Sequence, residues 1–277
     1  VKAIGTHWRG AVVFVTGGSK GIGLAVAKRV AAAGARVVLF ARSPEPLAGA
    51  AKQVQASGAA DVATCCLDVT DDAACRETLA AAVEQHGAPR LLVHCAGQAW
   101  PGRFGDIDYA RFDRTIKTNL YGTYSVVSAL VPAMREHGGH IVAVSSVAGV
   151  VGVYGMTDYC ASKFGVIGLS EALRQELSGD GIGVSVLCPP DTDTPGFDLE
   201  NQDKPAETKA LSGKAKVMSA DAVAEAMLRG IARGDFLIIP GADGKLTHFA
   251  KRMWPGLVHR IMMRTVRGAG GAGGAKR

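Results

Sequence analysis

Seven short apolar runs recur along this chain, each followed by a longer stretch whose apolar residues return at helical spacing. The runs are Ala11–Thr16, Arg36–Ala41, Asp61–Leu67, Leu91–His94, His140–Ser145, Gly183–Cys188 and Phe236–Ile239. Between them lie Gly21–Ala33, Pro46–Ala56, Asp71–His86, Asp108–Glu136, Asp158–Leu177 and Ala220–Arg233, rich in Ala and amphipathic. Most of the short runs are continuous rather than alternating, as expected of strands covered on both faces. Strand and helix in strict alternation predict an α/β fold, a doubly wound and predominantly parallel sheet with helices on both faces. Gly34, Gly58, Gly87 and Gly179 stand where helices are expected to stop.

A chain of 277 residues fits one large α/β domain, and 48% hydrophobic residues exclude a disordered chain. Apolar stretches are interrupted after about ten residues, too short for an ordinary membrane-spanning helix. The net charge of +6 is unevenly distributed. Eight Lys or Arg and no acid lie from Lys245 onward, and removing those eight leaves 23 basic residues against 25 acidic ones. The body is therefore slightly acidic, and with aromatics at 6% no nucleic-acid partner is expected. The six cysteines form no CxxC pair and have no neighbouring His cluster, so reduced thiols in a cytoplasmic setting, with no metal site, are the expectation. The organisation reads as a domain over 1–244, containing a polar insertion over 189–216, followed by a basic tail over 245–277.

The first apolar run leads directly into Thr16-Gly17-Gly18-Ser19-Lys20-Gly21-Ile22-Gly23 and then a helix. Glycines let a backbone approach a pyrophosphate, and the helix N-terminus behind them favours negative charge. At this position the loop points to a dinucleotide and the fold to the Rossmann-like kind, although a plain tight turn has a similar composition. The second strand ends Phe40-Ala41-Arg42, with no acid where an NAD enzyme binds the ribose 2′-hydroxyl. Lys20 and Arg42 instead offer cations to a 2′-phosphate, which favours NADP. Asp68-Val69 after the third strand and Cys95-Ala96-Gly97 after the fourth are placed to border the adenine and a ribose.

Ser146 and the string Tyr159-Cys160-Ala161-Ser162-Lys163 carry the sharpest chemical signal. Tyr159 and Lys163 share one face of the expected helix. A free tyrosine titrates at about 10, and a nearby ammonium is expected to lower that value. Ser146, at the end of the fifth strand, is positioned to bond a substrate carbonyl.

Together, TGGSKGIG, Cys95-Ala96-Gly97, Asn119 in KTNLYGT, Ser146 in IVAVSSVAG and YCASK resemble the signature set of the short-chain dehydrogenase/reductase family over about residues 10–240. The step from Ser146 to Tyr159 matches the family's spacing and selects Ser146 over Ser145. The resemblance implies that Asn119 anchors a water linking Lys163 to solvent. It also implies that Lys163 holds the nicotinamide ribose, Ser146 polarises the carbonyl and Tyr159 donates the proton while hydride arrives from NADPH. His94 departs from the family's usual Asn, which puts the tethering of that strand in question. After the sixth strand the family has Pro-Gly and then a Thr at the carboxamide. Here Pro189, Thr192 and Thr194 take the cofactor-clamping positions, with Pro190 in place of the Gly.

A narrower resemblance lies in Pro189-Pro190-Asp191-Thr192-Asp193-Thr194-Pro195-Gly196-Phe197, followed by Glu200, Lys204-Pro205 and Glu207-Thr208. It is similar to the branch of the family that reduces 3-ketodihydrosphingosine, and so implies a lipid-like ketone substrate. The alternatives are another hydrophobic ketone, such as a 3-oxoacyl thioester or a steroid, and an NADP-binding protein without turnover. The resemblance also implies a homo-oligomer, a dimer or tetramer, through the helices at Asp108–Glu136 and Asp158–Leu177.

In the tail, Leu246, Phe249, Met253, Trp254, Leu257, Ile261 and Met262 recur at helical steps between Lys251, Arg252, Arg260 and Arg264. This is a basic amphipathic helix, kinked at Pro255-Gly256 and ending in the glycine-rich GAGGAGGAKR, which is expected to be flexible. It suits the cytoplasmic face of an anionic membrane, or equally a cap over the active site or a subunit contact.

Overall fold

A computed structural model describes residues 8–213 and 217–273. Its strands are β1 (Val12–Thr16), β2 (Arg36–Ala41), β3 (Asp61–Cys66), β4 (Leu91–His94), β5 (Gly139–Val144), β6 (Ile182–Leu187), β7 (Thr192–Asp193), β8 (Met218–Ser219) and β9 (Leu237–Ile238). Seven of them form one parallel sheet in the order β3-β2-β1-β4-β5-β6-β9, while β7 and β8 pair separately. The chain winds outward from β1 to β3, then returns to β4 on the other side. That reversal opens a crevice beyond the carboxyl ends of β1 and β4, the usual ligand position in open α/β sheets.

Successive residues of a strand point to opposite faces, and β1 shows how this builds two cores. Val13 and Val15 join Leu39, Val93 and Val142 beneath α1 (Gly21–Ala32), α2 (Pro44–Ala56) and α9 (Ala220–Arg233). Phe14 and Val12 join Phe40, Leu92 and Ile141 beneath α3 (Asp72–His86) and α5 (Gly122–Met134), with Leu177 at the end of α6 (Thr157–Glu176). The runs at β1, β2, β4, β5 and β6 are strands with both faces largely buried, whereas the edge strand β3 is mostly exposed or half-buried. His94 makes its own tether, its Nδ1 lying 2.8 Å from Thr16 Oγ1 on the neighbouring strand.

Several elements depart from the sequence reading. The long helix expected over Asp108–Glu136 is split into α4 (Tyr109–Ile116) and α5 by a wide π turn at Lys117–Tyr121 that contains Asn119. Gly181, not Gly179, takes the left-handed conformation after α6, with φ +67°. The polar insertion is ordered into β7, α7 (Pro195–Asp203) and α8 (Ala206–Ser212), and its residues 214–216 lie outside the described chain. The tail forms α10 (Ala242–Met253) and α11 (Pro255–Gly273). They part at Trp254, because Pro255 disfavours a helical residue before it while fitting the first turn of the next helix. The helix runs on into the glycine-rich end as far as Gly273. Residues 274–277 of that segment lie outside the described chain. α11 packs on α8, which folds the tail back over the crevice.

Candidate active site

One cavity of about 990 Å³ fills the crevice, and every sequence-predicted site residue except Asn119 lies in its walls. Gly17, Ser19, Lys20, Gly21, Ile22 and Gly23 form its floor at the β1–α1 turn. Gly17 has φ +64°, and a Cβ there would lie 2.8 Å from Ala96 N. Backbone thus passes so close to backbone that only glycine fits. Lys20 caps α1 without a side-chain bond, and no acid occupies the first helical turn. The first amides and the positive end of the helix dipole are therefore left for an anion.

Arg42 joins the same wall, exposed like Lys20, and no carboxylate stands at Ala41. Asp68 and Val69 border the next section, with Asp68 Oδ1 accepting from Thr70 N at 3.0 Å and Thr70 Oγ1 at 2.8 Å. Ala96 and Gly97 follow, and a Cβ on Gly97 would sit 3.2 Å from Lys163 Nζ. On the opposite side Pro189, Thr192 and Thr194 close the wall. Pro189 O is held by Val147 N at 3.0 Å, and Thr192 Oγ1 donates to Pro190 O at 2.7 Å. A bare helix start, two cations and a floor of glycines match the phosphates and ribose of a dinucleotide.

Ser146, Tyr159 and Lys163 meet at the inner end of this cavity. Ser146 is extended at the end of β5, its Oγ accepting from Ala148 N at 3.1 Å. Ser145 instead donates its hydroxyl to Lys163 O at 2.9 Å. Lys163 is buried, donates to Val144 O at 2.8 Å and lies 5.6 Å from the centroid of the Tyr159 ring. Burial pulls its pKa down to about 8, against the weaker opposing influence of Cys95 and Cys188.

The expected lowering of the Tyr159 pKa is not what the surroundings produce. Burial holds the phenol well above its ordinary value, the negative charge of Glu200 adds to this, and only the Ser146 hydroxyl counters it. Lys163 bonds the β5 carbonyl rather than the phenol, so desolvation prevails.

Asn119 does not line the cavity. It is buried behind Gly97, where Oδ1 accepts from Gln98 N at 2.9 Å and Nδ2 donates to Gln98 O at 2.9 Å and Ser162 Oγ at 3.0 Å. Ser162 Oγ donates onward to Tyr159 O at 2.7 Å. Asn119 therefore braces the loop after β4 against the helix that carries Tyr159.

One part of the site escaped the sequence reading, and another, the tail as a cap over the active site, was only one of several alternatives there. Asp191 and Glu200 line the cavity, with Lys204 buried against them. Leu246, Ala250, Val258, Ile261 and Met262 supply an apolar wall from α10 and α11. The one-turn spacing of Glu200 and Lys204 was visible, but the approach of Asp191 to Lys204 from before α7 was not.

A parallel sheet with a dinucleotide crevice and a Ser-Tyr-Lys group at its inner end defines an oxidoreductase acting on a keto or hydroxyl group. The chain belongs to the short chain dehydrogenase family, whose model matches residues 11–205. It is 38% identical over 240 residues to 3-ketodihydrosphingosine reductase of Bos taurus, covering 85% of this chain and 72% of that protein. It is also 38% identical over 240 residues to 3-dehydrosphinganine reductase of Danio rerio, with the same shares of 85% and 72%. Among solved structures, levodione reductase superposes with a TM-score of 0.79 at 25% identity, over 86% of this chain and 98% of that one.

Proposed function

We propose that this enzyme reduces 3-ketodihydrosphingosine (3-ketosphinganine) to dihydrosphingosine with NADPH. The observation that carries the substrate is the identity to the two vertebrate reductases across 85% of the chain. When bound, NADPH supplies the hydride for the carbonyl carbon. Lys20 and Arg42 face its 2′-phosphate, the amides after Gly17 hold the pyrophosphate, and Asp68 and Val69 border the adenine. Ala96 and Gly97 leave room for a ribose, which Lys163 grips, while Pro189, Thr192 and Thr194 border the nicotinamide. Ser146 Oγ donates a hydrogen bond to the substrate carbonyl oxygen. Tyr159, kept protonated by burial, gives its proton to that oxygen as the alcohol forms. Asn119 acts as a positioning residue through Gln98 and Ser162.

The apolar wall from α10 and α11 receives the alkyl chain. No described helix is long and apolar enough to cross a membrane. The exposed corner of Phe249, Met253, Trp254 and Leu257 beside Arg252 and Arg260 supports a peripheral position on the cytoplasmic face of a membrane. Exposed Tyr121 at the end of the π turn, Tyr124 on α5 and Phe164 on α6 support a homo-oligomer through those helices.

The test is NADPH oxidation with 3-ketodihydrosphingosine, a 3-oxoacyl thioester and a steroid ketone, with the product identified by mass spectrometry. Dihydrosphingosine formed at a kcat/KM at least tenfold above the other two is expected. A higher kcat/KM on the thioester or steroid overturns the substrate assignment. NADPH binding without turnover of any ketone overturns the enzymatic reading.

A further inference from the structure

Around Lys204, one stretch of the cleft wall holds one carboxylate more than it balances. Lys204 is 5% exposed, and its Nζ stands 2.8 Å from Glu200 Oε1 and 3.7 Å from Asp191 Oδ2. Its ammonium also lies 4.5 Å from the centre of the Phe197 ring. Two carboxylates and one ammonium leave a single negative charge in a partly desolvated wall, and both carboxylates border the same cavity as Ser146 and Tyr159. Burial raises the Glu200 pKa and Lys204 pulls it back, while the Glu200 charge reaches the Tyr159 phenol. A second cation from a ligand would complete the balance, and a ligand with a long apolar chain could extend toward Val258 and Met262 on α11.

We infer that Glu200, with Asp191 at the rim, is the specificity element of this site and binds the ammonium of an α-amino ketone beside the carbonyl that Ser146 and Tyr159 address. This rests on the proposed reaction, whose substrate carries its amine on the carbon next to the keto group. Lys204 fixes the carboxylates in place. It also keeps the cluster at one uncompensated charge rather than two, which suits a monocation. A neutral ketone of the same length would leave that charge buried without a counterpart, the situation in which polar sites reject analogues most strongly.

The experiment compares 3-ketodihydrosphingosine with the 1-hydroxy-3-ketone of equal chain length that lacks the amine, at saturating NADPH. The unaltered enzyme should prefer the amino ketone. In Glu200→Gln the ratio of the two kcat/KM values should fall by about tenfold to a hundredfold, the scale of one hydrogen bond to a charged group, mainly through KM for the amino ketone. Asp191→Asn, at the more exposed rim, should lower the ratio in the same direction and tests the idea without leaving Lys204 unpaired. Equal kcat/KM for the two ketones in the unaltered enzyme overturns the inference while leaving the reductase reading intact. So does an unchanged ratio in both variants, which would mean that Glu200 only tunes Tyr159. Failure of the unaltered enzyme to reduce either ketone is instead the failure of the proposed function.

Discussion

Burial decides the behaviour of the two key side chains in opposite senses, raising the Tyr159 pKa and lowering that of Lys163 to about 8. For a reductase the first effect is useful, because the phenol must begin the reaction protonated. Replacing Tyr159 by Phe removes that proton and little volume. It should lower kcat for reduction by about 10²–10⁴-fold, while NADPH still binds in a fluorescence titration. Near-normal kcat would overturn the assigned role. Lys163→Ala should weaken both turnover and cofactor binding, since one ammonium is assigned to ribose and to proton supply. At the other end of the cleft, the contrast between Ala41 and its neighbours Lys20 and Arg42 favours NADPH over NADH. Ala41→Asp combined with Arg42→Ala should shift the kcat/KM ratio toward NADH, because a carboxylate repels a 2′-phosphate and accepts from a 2′-hydroxyl. Equal kcat/KM for both cofactors in the unaltered enzyme would remove the basis of that prediction.

Between elements, the pairing of β1 with β4 carries a buried histidine whose charge state is fixed by its surroundings. His94 is pressed down to about 3 by burial, and the neighbouring Lys163 adds to this. Between that value and its ordinary 6.5 the unfolded chain takes up a proton that the folded chain refuses. Stability from this site is therefore complete above about pH 6.5 and is lost as pH falls toward 3. Chemical denaturation at pH 7 and pH 5 should show a drop in unfolding free energy that is smaller in His94→Asn, and equal drops would refute the linkage. The same element scale shows what the sequence could reveal. The strands β1, β2, β4, β5 and β6, and the shared helix face of Tyr159 and Lys163, were legible from periodicity, whereas Ser146 is distinguished from Ser145 only by the spacing of the family it resembles. The π turn at Lys117–Tyr121 was not legible, since its one extra residue only shifts the apolar pattern by a single position, which a single sequence does not distinguish from an irregular helix face. Asn119 was thus found by its motif, but its hold on Gln98 and Ser162 was not. The ordering of α7 and α8 was hidden for another reason: Lys204 is buried beside Asp191, from the segment before α7, and α8 packs on the distant α11, contacts that no local pattern displays.

Across the whole molecule, the tail presents two different faces. Ala250, Val258 and Met262 line the cleft, while Phe249, Met253, Trp254 and Leu257 form an exposed corner where α10 meets α11. The Phe249 and Trp254 rings meet edge to face at 5.9 Å, which gives the corner a compact apolar tip. Exposed Lys245, Arg252, Arg260 and Arg264 lie on the same two helices. A long-chain ketone partitions into lipid, so a cleft wall continuous with a bilayer-seeking corner would shorten the substrate's path through water. Each cation near an anionic surface contributes about 1 kcal/mol, screened by salt. Removing the whole tail would also strip the cleft wall, so point changes at the corner are the sharper test. The full chain should sediment with phosphatidylserine-containing liposomes at low salt and release at high salt. Trp254→Glu with Leu257→Glu should abolish sedimentation and raise KM for the long-chain ketone presented in liposomes. Neither side chain lines the cavity, so kcat/KM on a short, water-soluble amino ketone should stay the same. No sedimentation of the unaltered protein at low salt would refute the membrane role. An equal loss on the short ketone would assign the corner to the shape of the cleft instead.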